Sequence, residues 1–223
     1  MRSIKFAVLV LFAASHFYSI TINGQEVFQS TYYEQRRTLF ENLPNTKNEI
    51  IFLGNSITDG SEWSELFQNK RIKNRGISGD VTEGVLYRLE EVTESKPAKV
   101  FLLIGINDLA RNIQKDTVFT NICRIATTIR EQSPKTRVFV QSILPVNPAF
   151  DKFIGHCSKT GEVKWINEKL EEFCAQSGFQ YVDLFTYFKN ENNDYMNPEF
   201  TNDGLHLTGA GYLKWAEIIK PLL

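Results

Sequence analysis

Four side chains and one glycine-rich string in this 223-residue chain have the types and spacing for nucleophilic acyl chemistry. The side chains are Ser56, Asn107, Asp203 and His206, and the string is Asn74-Arg75-Gly76-Ile77-Ser78-Gly79-Asp80. A serine hydroxyl becomes a nucleophile only beside a base, and imidazole serves at neutral pH. The chain has three histidines. His16 lies near the N-terminus, and His156 stands in a long irregular stretch with no acidic residue closely following. His206 alone has a carboxylate at suitable spacing, in Asp203-Gly204-Leu205-His206. An aspartate there can hold the imidazole in the tautomer that accepts a serine proton. The attack creates an oxyanion. A glycine N–H from the string and the Asn107 side-chain NH₂ are candidate donors to it, and one such donor is worth about 3 kcal/mol.

Each group also has a plainer reading. Ser56 lies in Gly54-Asn55-Ser56-Ile57-Thr58-Asp59-Gly60 and could, like Thr58, simply cap a helix. The string could be a turn, and Asn107, in Gly105-Ile106-Asn107-Asp108, could form an Asx-type cap. The first motif is not the Gly-x-Ser-x-Gly elbow, because position 58 is threonine.

The elements around these motifs decide between the readings. Short apolar runs at 50–53, 99–104, 137–143 and 179–182 read as buried strands, and 71–74 as an edge strand. Helical spacing fills the gaps. One helix is expected over 27–43 and a short one containing Trp63 and Leu66. Asp80 and Glu83 look like a capping box opening a helix with the stripe Val81, Val85, Leu89 and Val92. Asp116 is expected to cap a helix carrying Phe119, Ile122, Ala126 and Ile129, and Thr208 to cap the last one. Val163, Ile166, Leu170 and Phe173 form a further stripe. Repeated strand–helix units predict an α/β fold: a three-layer α/β/α sandwich around a flavodoxin-like parallel sheet of about five strands. Ligands of such sheets bind beyond the carboxyl ends of the strands, where the motifs fall.

Together the four blocks resemble those of the SGNH (GDSL-type) hydrolases, with Ser, Gly, Asn and His in that order. The long Asn74–Asp80 string is similar to the branch containing platelet-activating-factor acetylhydrolase subunits and bacterial acylhydrolases. The resemblance runs from residue 54 to 206, and it departs at Asn55, where that family often has Asp. It implies Ser56 as nucleophile, His206 as base and Asp203 as its orienting carboxylate. It also implies an oxyanion hole made by the Ser56 and Gly79 N–H groups and the Asn107 side chain. The implied reaction is ester hydrolysis through an acyl-enzyme, with neither cofactor nor metal.

Composition bounds the rest. The chain is 42% hydrophobic and 23% charged, ordinary for a globular domain, with 25 basic against 26 acidic residues and hence no excess of positive charge for nucleic acid. Residues 1–24 carry Arg2, Lys5 and an uncharged, mostly apolar run at 6–14, the pattern of a signal peptide cleaved somewhere in 15–24. The run is shorter than the roughly 20 residues a membrane span needs. The expected product is one secreted or periplasmic hydrolase domain, 25–223, without stable membrane insertion. Cys123 reads as a buried structural thiol; Cys157 and Cys174 could pair or stay free. The substrate expected is an acetyl ester of carbohydrate. A longer-chain lysophospholipase or thioesterase, or a catalytically silent carbohydrate-binding domain, are the alternatives. The segment 144–156, with Phe150 and Phe153, is expected to flank the site.

Overall fold

The computed structural model describes residues 30–223. The expected signal segment 1–24, His16 and the start of the 27–43 helix lie outside the described residues. That helix is seen as α1, Thr31–Asn42, capped by the Ser30 hydroxyl on the Tyr33 N–H.

Five strands follow: β1 Ile50–Gly54, β2 Ile72–Gly76, β3 Lys99–Leu103, β4 Arg137–Gln141 and β5 Gln180–Val182. They form one parallel sheet in the order β2-β1-β3-β4-β5. This is the flavodoxin-like order, and the chain switches direction across the sheet between β1 and β3. The edge strand β2 extends to Gly76, two residues beyond the run read from the sequence. Its last residues pair with Leu53 and Gly54 and so bring the glycine string beside the start of the Ser56 motif.

Helices cover both faces. Phe52, Phe101 and Phe139 stand in register on neighbouring strands and stack ring on ring. Trp63, in the short helix α3 (Trp63–Leu66; the one-turn α2, Ser56–Asp59, precedes it), stacks on Phe52. Trp215, in the last helix, meets Trp63 edge-on. Its indole N–H donates to the Gln141 side chain (2.7 Å). On the other face lie α4 Thr82–Tyr87, α5 Leu89–Glu94, α7 Lys115–Gln132 and α9 Thr160–Ser177, packed against one another; the small helices α6 Ile106–Ala110 and α8 Ile154–Cys157 lie at the strand ends. Two more helices, α10 Phe185–Phe188 and α11 Gly209–Ile219, complete the chain. Among the described residues no helix is long and apolar enough to cross a membrane.

Two capping expectations need correction, and a third holds in position only. The helix expected after Asp80 is two short helices broken at Arg88. Arg88 is 2% exposed, and its guanidinium donates to Asp80 Oδ2 (2.9 Å), Glu91 Oε1 (3.2 Å) and the carbonyls of Gly54 and Arg75 (3.2 and 2.9 Å). A buried charge demands that many partners, and the chain bends to supply them. The Asp80 carboxylate is therefore taken by Arg88 and by the adjacent Val81 N–H, and the Thr82 N–H at the start of α4 is capped instead by Asp108. Asp116 lies inside the first turn of α7, where its charge favours the helix dipole, while Gln114 holds the cap position. Thr208 does hold the cap position of α11, but its hydroxyl donates to the Glu199 carbonyl (3.2 Å). Cys123, Cys157 and Cys174 are all free thiols; Cys157 and Cys174 are buried, and Cys123 is only partly so.

Candidate active site

Ser56 opens α2 at the carboxyl end of β1. Asn55 is the cap of this single turn, its Oδ1 accepting the Ile57 N–H (3.0 Å). An asparagine caps as well as an aspartate, so the departure at position 55 leaves the local geometry intact. It also frees the Ser56 hydroxyl from capping. A one-turn helix cannot satisfy its own carbonyls, and here other elements do so. The Trp63 indole donates to Thr58 O (2.8 Å), and the Tyr212 hydroxyl to Ile57 O (2.9 Å). The Asn74 amide reaches the carbonyls of Thr58, Asp59 and Ser61 (3.1, 3.1 and 2.9 Å).

The Ser56 Oγ lies 3.0 Å from His206 Nε2, and His206 Nδ1 lies 2.8 Å from Asp203 Oδ2. The other Asp203 oxygen accepts the backbone N–H groups of Leu205 (2.9 Å) and His206 (2.7 Å). Burial works to raise the Asp203 carboxyl. The hydrogen bonds from the His206 ring and backbone and from Leu205 outweigh it and hold the group below the usual carboxylate range. The three side chains read from the sequence are thus brought into one hydrogen-bonded line.

The other two candidates meet them. Gly79, at φ +81°, takes a left-handed conformation in which a β-carbon would be strained, and the space its Cβ would enter is open. Asp59 holds this loop against α2 by accepting the Ser78 hydroxyl (2.9 Å) and N–H (3.3 Å). Asn107, on α6 after β3, donates from Nδ2 to the Asp80 carbonyl (2.8 Å). Ser56, Gly79 and Asn107 line one cavity of about 390 Å³ together with Ser78, Arg111, Phe153, His156 and His206. Among the described residues neither the Ser56 nor the Gly79 N–H has an acceptor within the protein.

Sequence reading missed Arg111 among these lining residues, and it missed the partner of His156, which ends the segment expected to flank the site. Arg111, one turn past Asn107, donates to the Gly79 carbonyl (2.8 Å). His156 was set aside as a base because it lacks a nearby carboxylate; its partner is the Asn107 Oδ1 (3.0 Å), 49 positions away in the chain. The signal available was its place in the irregular segment after β4, at the carboxyl end of the sheet. Of the two phenylalanines in that segment, Phe153 lines the cavity, its ring edge-on to His206 at 5.0 Å; Phe150 does not line it. Among the described residues no group of three or more His, Cys, Asp or Glu is placed to hold a metal ion.

The arrangement can deprotonate a hydroxyl and bind an anion beside it. Known proteins are similar to this chain over most of its length. Subunit alpha2 of platelet-activating factor acetylhydrolase IB from Rattus norvegicus is 27% identical over 185 residues, covering 78% of this chain and 74% of that one. Its counterpart from Gallus gallus is 28% identical over 200 residues, covering 84% and 80%. The crystal structure of a GDSL-like lipase from Bacteroides thetaiotaomicron superposes with a TM-score of 0.74 at 27% identity, over 85% of this chain and 96% of that one. The model of the GDSL-like Lipase/Acylhydrolase family matches residues 52–214, a span that takes in all of the sheet but the first two residues of β1 and every residue of the cavity, and the chain belongs to that family of ester-hydrolysing enzymes.

Proposed function

We propose that this enzyme is a serine esterase working through an acyl-enzyme, with Ser56 as nucleophile, His206 as base and Asp203 as the group that orients it. The observation that carries this reading is the line Ser56 Oγ to His206 Nε2 to Asp203, at 3.0 and 2.8 Å. Asp203, ionised and fixed by two backbone N–H groups, keeps the His206 proton on Nδ1, so Nε2 can take the serine proton. Ser56 attacks the ester carbonyl. The Ser56 and Gly79 N–H groups and the free hydrogen of the Asn107 amide bind the oxyanion, and His206 returns its proton to the leaving alcohol. Water then releases the acid by the same steps in reverse order of roles.

The substrate proposed is a short acyl ester of a hydroxylated alcohol, foremost an acetyl group on carbohydrate. The cavity is small, its rim offers the polar Ser78, Arg111 and His156, and Phe153 presents a 43% exposed ring on which a sugar face could rest. Secretion, argued from residues 1–24, suits such a substrate. Rates on acetylated oligosaccharides, compared with p-nitrophenyl esters of rising chain length, test it. Preference for acyl chains of eight carbons or more would favour a lysophospholipase or thioesterase instead. Failure of a fluorophosphonate to label Ser56 would mark a silent binding domain.

A further inference from the structure

We propose that His156 is a positioning residue: it locks the Asn107 carboxamide in the orientation that stabilises the oxyanion. The inference rests on the reading of Asn107 as an oxyanion donor. A carboxamide has a donor end and an acceptor end, and a half-turn about its last bond exchanges them. Asn107 has fixed partners at both ends. Nδ2 donates to the Asp80 carbonyl at 2.8 Å, and Oδ1 faces His156 Nε2 at 3.0 Å. Since Oδ1 can only accept, Nε2 must carry the imidazole proton. The flipped amide would set oxygen against the Asp80 carbonyl oxygen, two acceptors in contact. The Asp80 bond therefore selects one orientation, and the His156 bond anchors the Oδ1 end of the amide in it, so that Nδ2 keeps a second hydrogen for the oxyanion.

The segment between β4 and α9 is built to bring His156 there. Asp151 and Phe153 both adopt left-handed backbone angles (φ +52° and +49°), unusual for residues with side chains. They turn the chain so that α8 rests on α6, close enough that a Cβ at Gly155 would touch the Ala110 carbonyl at 3.6 Å. The same segment holds the base. The Asn147 N–H donates to the Gly204 carbonyl (2.8 Å), the Cys157 thiol approaches that oxygen at 3.5 Å, and the Phe153 ring meets the rings of both His156 and His206. One loop thus sets the base and, through His156, the oxyanion donor. Burial, followed by the nearby His206 and Arg111, lowers the His156 pKa, so the ring stays neutral while His206 becomes charged during the reaction.

The test compares kcat and KM on p-nitrophenyl acetate for the full chain and for His156→Phe, His156→Gln, Asn107→Ala and the His156→Phe/Asn107→Ala double variant, with thermal melting to confirm folding. Removing one oxyanion donor costs about 10²–10³ in kcat, and losing its alignment should cost about tenfold or more. His156→Phe keeps a ring but no donor, and should lose that factor in kcat with KM little changed. His156→Gln, which keeps an N–H, should recover most of it. The double variant should be no slower than Asn107→Ala alone, because His156 acts only through Asn107. A His156→Phe rate close to that of the parent enzyme, a glutamine variant as slow as the phenylalanine one, or additive losses in the double variant would each overturn the proposal. An unaffected Asn107→Ala variant would instead remove the oxyanion reading beneath it.

Discussion

The Asp108 carboxylate accepts the Thr82 backbone N–H through both of its oxygens, at 3.0 and 3.1 Å, and the Thr82 hydroxyl as well. It joins the end of β3 to the start of α4, directly behind Asn107. Burial pushes its pKa up to about 6 against the opposing pull of the Thr82 bonds, with the neighbouring Asp80 adding to the rise. A carboxyl raised in the folded state binds its proton there while the unfolded chain has already lost it. Stability from this group is therefore fullest in acid and falls as pH rises from about 4 to 6, by about 3 kcal/mol in all. Urea unfolding of Asp108→Asn across pH 4–7 should lack this fall. A variant whose stability tracks that of the parent at every pH would contradict the assignment.

Asp203→Asn should lower kcat by about three to four orders of magnitude while leaving the fold intact. The asparagine oxygen will take the two backbone N–H groups that now bind Asp203 Oδ1. Its NH₂ is then forced to face His206 Nδ1, which moves the imidazole proton to Nε2, against Ser56. Steady-state kinetics with circular dichroism as the control would measure this.

Gly79→Ala should separate stability from activity. The left-handed backbone at this position costs an alanine about 1–2 kcal/mol, and the added methyl meets open space rather than a neighbour. Relief of that strain would rotate the Gly79 N–H away from the oxyanion. The expected result is a small drop in melting temperature with a kcat loss of about tenfold or more.

Arg88→Met should be among the most destabilising single changes. It leaves the buried carboxylates of Asp80 and Glu91 with Arg75, which reaches only Glu91 (3.1 Å). Breaking a buried charge network from one side costs about 3–5 kcal/mol. Chemical denaturation would show it, and a loss near zero would mean that the network relaxes freely.

The central strands were legible because they are buried on both faces, and uninterrupted apolar runs such as 50–53 have no amphipathic alternative. Ser56 and His206 stood out through local signals: a motif following a strand, and a histidine three residues after an aspartate. What escaped was whatever depends on partners distant in the chain. Arg88 breaks a helix whose apolar stripe is continuous, because its guanidinium answers carbonyls of two strands. Asp80 has the spacing of a capping box, yet its carboxylate serves that same arginine. His156 lacked an acidic neighbour in sequence, since an amide from another strand's end supplies its bond.

The single turn that begins at Ser56 has a wider consequence. Four residues are too few to persist as a helix by themselves, and this turn is held by side chains from α3, β2 and α11, which belong to opposite ends of the sequence. The nucleophile therefore has no local route to disorder. The hydrogen-bonded amide protons of the turn, those of Thr58, Asp59 and Gly60, should exchange with solvent only through openings that also disrupt the sheet, and heat inactivation should coincide with cooperative melting rather than precede it.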